Sequence, residues 1–344
     1  MYLAVALDGL GSHPAAHRTA GQDPAARFDP GRVVELARLA ERGRLDLLTV
    51  DGRSADRPDP GRPYGALDAW LVLALVAAHT EHIALVGAGY AKGDPLETAA
   101  RVATLDRICA GRGGWQPRVV ISDEQRRRAT ADPLGHVAFT EERFARVTDF
   151  VAAVTDAWAS WPEGGRPRPL DTPDRYATVP VPVDGPPLTA VLAHFRTPYQ
   201  LAVRYADVVF VTPRDRDDVL AIRAELAGIR AEVGRTRPLA VLADLNVVLA
   251  GTVSAARKRQ DLLDAYDSGV SDAAGYVGDA AGLADLLTEW HRDGGVDGFR
   301  LRPAVLPDDL VATVHEVVPL LQERGLFETT YPGPLRTRLR RGSA

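Results

Sequence analysis

Apolar runs and amphipathic stretches alternate along most of the chain. In the stretch 83–122, a continuous apolar run at 83–87 is followed by Asp94 and Pro95, a pair typical of a helix N-terminus. Apolar residues at helical spacing continue to Gly111, and the glycine-rich segment 111–115 then leads to a second apolar run at 119–121. Two buried strands joined by an amphipathic helix predict a parallel strand–helix–strand unit.

The same alternation repeats on both sides of this unit. We predict strands at 3–7, 45–50, 83–87, 119–121, 188–192, 208–211, within 239–249 and at 298–301, each followed by a helical pattern. Eight such units close most simply into a parallel (β/α)8 barrel, because every crossover is then right-handed and no sheet edge stays open. An open doubly wound sheet is the alternative, but the loop after the first strand lacks the G-x-G-x-x-G pattern of dinucleotide-binding domains.

Two stretches interrupt or follow the repeat. Residues 160–187 contain eight prolines and little periodicity, and strand–helix alternation resumes after them, so we predict a surface insertion of the same domain. Residues 332–344 are rich in arginine and are expected to form a basic C-terminal tail. The predicted organisation is thus one α/β TIM barrel over residues 1–331, followed by that tail.

Composition narrows the function without identifying it. A chain of 344 residues with 46% apolar content can bury a large core, and a net charge of −5 argues against nucleic-acid or anionic-membrane partners. The first residues are too short a run for a signal peptide, and no apolar segment approaches the length of a membrane span, so we expect a cytoplasmic protein. The single cysteine, Cys109, excludes an internal disulfide and is expected to be a packed thiol.

Candidate chemistry is found in the loops that follow the predicted strands, where barrel enzymes carry their active sites. Four of the eight histidines occupy such loops, namely His13, His17, His136 and His194. Asp51 ends the second strand, where it would orient a ligand, act as a base or cap the next loop. Arg196 and the helix start at Thr197 suit a phosphate, although an exposed arginine with no ligand explains Arg196 equally well.

A metallohydrolase that uses His13, His17, His194 and Asp51 as metal ligands is a weaker alternative. His13 and His17 are spaced H-x-x-x-H on a loop, whereas barrel metal sites use H-x-H at a strand end.

Several motifs, in their order and spacing from the first strand to about Tyr331, resemble one enzyme family. That family is the bacterial luciferase-like flavin-dependent monooxygenases, especially the branch with nitrilotriacetate and dibenzothiophene-sulfone monooxygenases. The matching residues are at 99–108, 111–115, 142–146, 149–150, 158–161, 205–210, 297–301, 317–322 and 324–327.

The resemblance implies a dimeric eight-stranded barrel that binds reduced FMN from a separate flavin reductase and uses oxygen on a small organic substrate. It implies an isoalloxazine near Asp51, Gly89 and Tyr90. The flavin phosphate would lie near Thr140, Arg196 and Thr197, and His13, His17 and His194 would be candidates for proton transfer. Some barrels of this family use a deazaflavin instead, which is a variant of the same hypothesis.

The chain departs from the family at cofactor-binding positions. Thr140 and Phe144 stand where the family commonly has His-x-x-x-Tyr, and residues 193–198 replace a Gly-Ser-rich phosphate loop. His17 stands where a Trp is common, and 160–187 replaces a longer segment. These departures motivate a second hypothesis, a barrel that has lost its chemistry and serves as a partner subunit or ligand-binding protein.

Overall fold

Eight parallel strands form a closed barrel in the computed structural model, which describes residues 1–19, 23–52, 65–119, 133–159, 179–269 and 271–341. Seven of them pair in sequence order: β1 (Tyr2–Ala6), β2 (Leu47–Asp51), β3 (Ala84–Tyr90), β4 (Gly113–Arg118), β5 (Leu188–Ala193), β6 (Val208–Val211) and β7 (Ala240–Leu249). The last barrel strand, β9 (Gly298–Pro303), pairs with both β7 and β1. The predicted TIM barrel is confirmed.

One strand was not predicted from the sequence. β8 (Ala274–Gly278) pairs with the second half of β7, outside the barrel wall. Most of β8 is half-buried or exposed, so its sequence lacks the continuous apolar run that marks the barrel strands.

Helices cover the outside of the barrel. They are α1 (Pro30–Arg42), α2 (Ala69–Ala77), α3 (Pro95–Ile108), α4 (Pro133–Ala159), α5 (Arg196–Tyr205), α6 (Arg216–Val233), α7 (Val253–Asp264), α8 (Ala280–Arg292), α9 (Asp308–Ala312), α10 (Val318–Glu323) and α11 (Leu335–Arg341), with a π-helical turn at Thr313–Val317. The helix start predicted at Asp94 is confirmed, and Asp29 caps α1 in the same way, because each carboxylate accepts a backbone N–H of the following turn.

The fourth strand begins earlier than the sequence predicts, and helix α4 begins before Thr140. Strand β4 starts at Gly113 because its glycines allow close packing: a Cβ on Gly113 would lie 2.6 Å from Asp106 Cα, and one on Gly114 would lie 2.7 Å from Leu188 Cβ. Helix α4 already begins at Pro133, so Thr140 is inside it and is not its N-cap. Residues 120–132 lie outside the described part of the chain.

The end of the barrel at which the strands begin, here called the amino end, is apolar and covered. Interior side chains there include Ala4, Leu47, Ala84, Val86, Leu188, Ala190, Val208 and Leu242, and two leucines of α11, Leu335 and Leu339, pack against them. Arg336 of α11 pairs with Asp106, and Arg338 pairs with Asp46 at 2.5 Å. The segment expected as a basic tail therefore contains a helix packed on the barrel.

A repeated aspartate ties neighbouring strands together at this end. Asp46, Asp207 and Asp297 each precede a strand, and each carboxylate accepts the N–H of a residue in the adjacent strand or at its start. The acceptor distances are 2.8 Å from Leu3, 2.9 Å from Thr189 and 2.8 Å from Val241. Charge-assisted bonds of this kind fix the register where the strands begin.

Two further predictions bear on the same scaffold. Cys109 is fully buried, its thiol donates to the Leu105 carbonyl, and burial raises its pKa to about 11, so the packed thiol is confirmed. Trp115 is buried against Phe150 and Trp158 as a packing residue, within β4. No helix in the described ranges has the length and apolarity needed to cross a membrane.

Candidate active site

Polar side chains replace apolar ones in the half of the barrel nearest the carboxyl ends of the strands, here called the mouth. Alternate residues of a strand face the barrel interior. Along the first, second and fifth strands, the inward series that begin with Ala4, Leu47 and Leu188 therefore end in polar residues at the mouth. These polar groups are Asp8, Asp51, Arg118, His194, Asn246 and Arg302.

A buried polar layer lies one step below the mouth. Arg300 donates through Nε to Asp244 Oδ1 at 2.7 Å and through Nη1 to Gln116 Oε1 at 3.1 Å, and its guanidinium lies 3.9 Å from the Phe210 ring centroid. The Gln116 amide nitrogen is buried and has no hydrogen-bond partner among the described residues. It is therefore a donor that a ligand or a water molecule would satisfy.

Two carboxylates meet at the mouth. The Asp51 N–H donates to Asp8 Oδ1 at 3.0 Å, and the Asp51 side chain pairs with Arg118 at 2.5 Å. Burial and the neighbouring Asp51 charge raise the pKa of Asp8, against the opposing effect of Arg302. Asp8 therefore keeps its proton more readily than an exposed aspartate.

A cavity of about 300 Å³, here called the histidine cavity, opens beside these carboxylates. Its lining brings together three predicted site residues, His13, His17 and Asp51, and adds Asp8, Arg27 and Arg302. The loop after β1 thus delivers both of its predicted histidines to one cavity.

Hydrogen bonds fix the tautomers of these two rings. The His13 Nδ1 accepts the Ala15 N–H at 3.1 Å, so its Nε2 carries the proton toward Asp264 at 3.2 Å. The His17 Nδ1 lies 3.0 Å from the Pro14 carbonyl, which only accepts, so His17 donates there, and in the neutral ring the lone pair is on Nε2. Both His13 nitrogens are engaged, whereas His17 Nε2 has no hydrogen-bond partner in the part of the chain that the structure describes.

A second cavity, of about 260 Å³, adjoins the first at Asp51 and is called here the aromatic cavity. It is lined by the predicted residues Gly89 and Tyr90 and by Trp70, Lys92 and Arg118, among others. The Lys92 ammonium lies 5.2 Å from the Tyr90 ring centroid. With one shared wall, the two cavities reach the size of small-molecule sites, about 300–1,000 Å³.

Other predicted residues lie in a separate groove of about 360 Å³ between α4 and α5. Phe144 and Thr197 line it, and Phe144 meets Phe195 edge to face at a centroid distance of 5.6 Å. Arg196 is not in the groove lining, because both Glu232 carboxylate oxygens accept from its Nη2 at 2.8 Å. The side chains of His136 and Thr140 lie outside the described part of the chain.

His194 is linked to the histidine cavity through Asp272. Its Nδ1 lies 2.8 Å from the Thr212 hydroxyl and its Nε2 lies 3.4 Å from Asp272, which also pairs with Arg302 at 3.2 Å. Burial alone would raise the pKa of Asp272, but Arg302 and His194 together hold it below its ordinary value. The charge network therefore runs from the fifth strand to the lining of the histidine cavity.

Several site residues were not predicted because they lie in strand interiors rather than in the loops that follow the strands. Gln116, Asp244, Arg300 and Arg302 occupy inward positions of strands whose other inward residues are apolar or small. Counting every second residue from an apolar inward position would have found them. Asp272 carried no such signal, since it belongs to the loop before β8. Within the described ranges, no cluster of three or more His, Cys, Asp or Glu side chains is arranged to hold a metal ion.

Comparison with known proteins identifies the family. The model of the luciferase-like monooxygenases matches residues 10–314. The chain belongs to the luciferase-like monooxygenase family. N-acetyl-S-(2-succino)cysteine monooxygenase of Bacillus subtilis (strain 168) is 26% identical, with 96% of this chain and 94% of that protein covered. Nitrilotriacetate monooxygenase component A of Aminobacter aminovorans is also 26% identical, with 94% and 92% covered.

Solved structures agree on the fold of this luciferase-like monooxygenase. EDTA monooxygenase from Chelativorans sp. BNC1 superimposes with a TM-score of 0.82 at 21% identity, covering 98% of each chain. The predicted family is confirmed, and with it a flavin-dependent monooxygenase acting on a small organic substrate. A barrel that has lost its chemistry is not favoured, because the chain matches these relatives over nearly their whole length and both are named as monooxygenases.

Proposed function

We propose that this luciferase-like monooxygenase uses reduced FMN, supplied by a separate flavin reductase, and molecular oxygen to oxidise a small organic molecule. The observation that carries the proposal is the pair of cavities that share Asp51 at the barrel mouth. One offers aromatic faces and cationic donors, and the other offers an imidazole with a free nitrogen. A ligand in each would place cofactor and substrate side by side.

The aromatic cavity fits the isoalloxazine ring. Trp70 and Tyr90 provide apolar faces, and Arg118 and Lys92 provide positive charge for an anionic ring system. Reduced FMN supplies the electrons that activate oxygen. The chain's own contribution is to orient the ring and to limit access of water.

The N-terminus of α5 suits the flavin phosphate. Phe195 occupies its N-cap position and makes no side-chain capping bond, so first-turn N–H groups remain for an anion. Thr197 and Phe144 line the adjoining groove, and the phosphate there would compete with Glu232 for Arg196. Thr140 is proposed as a further phosphate contact from its position in α4.

Proton transfer is assigned mainly to His17. Its Nε2 has a lone pair and lies on a ring held by the Pro14 carbonyl, as a general base requires. His13 and His194 have both nitrogens engaged, so their proposed role is to hold charge and orientation around the cavity.

Flavin titration tests the cofactor. Anaerobic titration of the purified protein with dithionite-reduced FMN should show binding in the micromolar range or tighter, and weaker binding of reduced riboflavin, which lacks the phosphate. A reduced deazaflavin titrated in parallel tests the variant cofactor. Absence of binding by every one of these compounds would refute the proposed function.

A coupled assay tests the reaction. NADH, FMN and a flavin reductase are combined with N-acetyl-S-(2-succino)cysteine or nitrilotriacetate as trial substrates, chosen because relatives are named for them. Substrate-dependent oxygen consumption and an oxidised product by mass spectrometry are expected.

We also propose a homodimer that uses the outer face of α2. On this helix Leu71 is 75% exposed and Leu75 is 38% exposed, so part of its outer face is apolar and open to a partner. Light scattering should show a dimer for the wild type and a monomer for Leu71→Glu. Leu262→Glu, at an equally apolar exposed position on α7, should remain dimeric.

A further inference from the structure

The charges that line the histidine cavity do not cancel. Arg302 pairs with Asp272 at 3.2 Å, Asp51 pairs with Arg118 at 2.5 Å, and His13 lies 3.2 Å from Asp264. The pKa of Asp8 is raised, so its negative charge is weakened. Only one lining cation, Arg27, has no acidic partner among the described residues.

Arg27 is held by the backbone rather than by a carboxylate. Its Nη2 donates to the Gly65 carbonyl, its guanidinium lies 5.2 Å from the Phe28 ring centroid, and its Nε is buried without a partner. Burial lowers the pKa of Arg27, and no acid among the described residues opposes that effect. A half-buried guanidinium without an anion is costly, so the folded protein gains when an anion binds beside it.

Other donors face the same space. His17 Nε2 has no hydrogen-bond partner within the described ranges, and the imidazolium form of the ring donates through it. The Asp8 carboxyl uses one oxygen to accept the Asp51 N–H, and in its protonated form it donates through the other. A planar monoanion of small size suits this set, because a dianionic phosphate would lie close to two carboxylates.

We propose that Arg27 binds a carboxylate group of the substrate in the histidine cavity. The inference rests on the proposed function only in identifying the bound molecule as the substrate, since carboxylate binding itself is measurable without flavin. A guanidinium and a carboxylate form the planar, charge-assisted contact that fixes orientation as well as affinity. Arg27 is thus a specificity-determining residue that selects carboxylate-bearing compounds and presents them to the mouth.

Calorimetric titration of the flavin-free, full-length protein at low salt tests this assignment, with succinate as the probe and succinamide as its uncharged counterpart. We expect succinate to bind at least about tenfold more tightly than succinamide, which corresponds to about 1.4 kcal/mol. Arg27→Gln should abolish this preference, and Arg27→Lys should restore part of it because the charge returns without the planar fork.

Arg32→Gln is the matched control. Arg32 is also half-buried and also donates to a backbone carbonyl, that of Leu306, but it does not line the cavity. It should keep the succinate preference, and thermal melting of each variant checks that the fold is retained.

Three results would overturn the assignment: equal affinity for the two probes, no binding of either, or an unchanged preference in folded Arg27→Gln. Loss of reduced-FMN binding in Arg27→Gln, with succinate binding intact, would instead assign the arginine to the cofactor phosphate. Succinate binding by a protein that fails to bind any flavin would support this inference and refute the proposed function, so the two outcomes are separable.

Discussion

The two ends of the barrel both contain ion pairs, but they differ in how completely the charges are matched. At the amino end, the Asp106 carboxylate accepts N–H groups of Gly113 at 3.2 Å and Val183 at 2.9 Å in addition to Arg336. At the mouth, one carboxylate oxygen of Asp8 accepts a hydrogen bond from the described residues, and Arg27 has no acidic partner among them. Matched charges hold the scaffold together, whereas incompletely matched charges are available to ligands.

Breaking a pair at the amino end should give the largest loss of stability. Arg336 is 4% exposed and Asp106 is fully buried, so Arg336→Ala leaves a buried carboxylate without its cation. We expect the free energy of unfolding to fall by about 3–5 kcal/mol in urea denaturation. Arg340→Ala removes an exposed arginine of the same helix, whose hydrogen bonds to the described residues go to backbone carbonyls, and should cost less than about 1 kcal/mol. Equal losses of unfolding free energy in the two variants would contradict the expected difference between a buried ion pair and an exposed arginine.

Removing the free imidazole at the mouth should change activity and leave stability unchanged. His17→Gln should lower kcat/KM in the coupled assay by about 10²-fold, because a positioned general base contributes at least that much. His79→Gln is the matched control, since His79 also uses Nδ1 toward a backbone carbonyl, that of Leu75, but lies far from the mouth. A normal rate in His17→Gln would remove His17 from the mechanism.

Two aspartates that each pair with an arginine provide a direct test of the difference between the ends. Asp51→Asn at the mouth should weaken reduced-FMN binding by about tenfold, the value of one charge-assisted contact. Asp46→Asn at the amino end should lower the free energy of unfolding and leave FMN affinity unchanged. The proposed difference between the two ends is wrong if Asp46→Asn weakens FMN binding and Asp51→Asn lowers only the free energy of unfolding.

The smallest predicted effect is a loss of stability at alkaline pH through Cys109. Its folded pKa of about 11 lies above the unfolded value of 9.0, so the folded state binds more protons between those values and loses stability as pH rises through the window. From pH 8 to pH 10 this contribution is about 1 kcal/mol. Cys109→Ala should show a correspondingly shallower decline in urea denaturation, and an identical decline would argue against it.

More of the fold than of the site can be predicted from the sequence. Every barrel strand except the fourth was located within two residues at its start, because an apolar run of several residues reports burial on both faces. The fourth was misplaced because Gly113 and Gly114 resemble a turn, although they are strand residues that allow close packing. Periodicity cannot distinguish these two uses of glycine.

Predicted residues that chain order places together share a cavity, whereas side-chain direction separates others from it. His13 and His17 share a cavity because they share a loop, and Asp51 joins them because β2 is adjacent to β1. Arg196 was expected to face a phosphate, but its guanidinium extends to Glu232 on a different helix. That partner is 36 positions away, and no local pattern indicates it.

The helix α11 has a consequence for how the protein is made. Arg338 contacts Asp46 across 292 positions of sequence, and Leu335 and Leu339 cover an interior formed largely by strands synthesised much earlier. Until residues 335–341 have emerged from the ribosome, the leucines and valines at the amino end of the barrel remain exposed to water. We expect the nascent chain to need protection by a chaperone during that interval, and a fusion partner joined closely after α11 to hinder the docking of this helix.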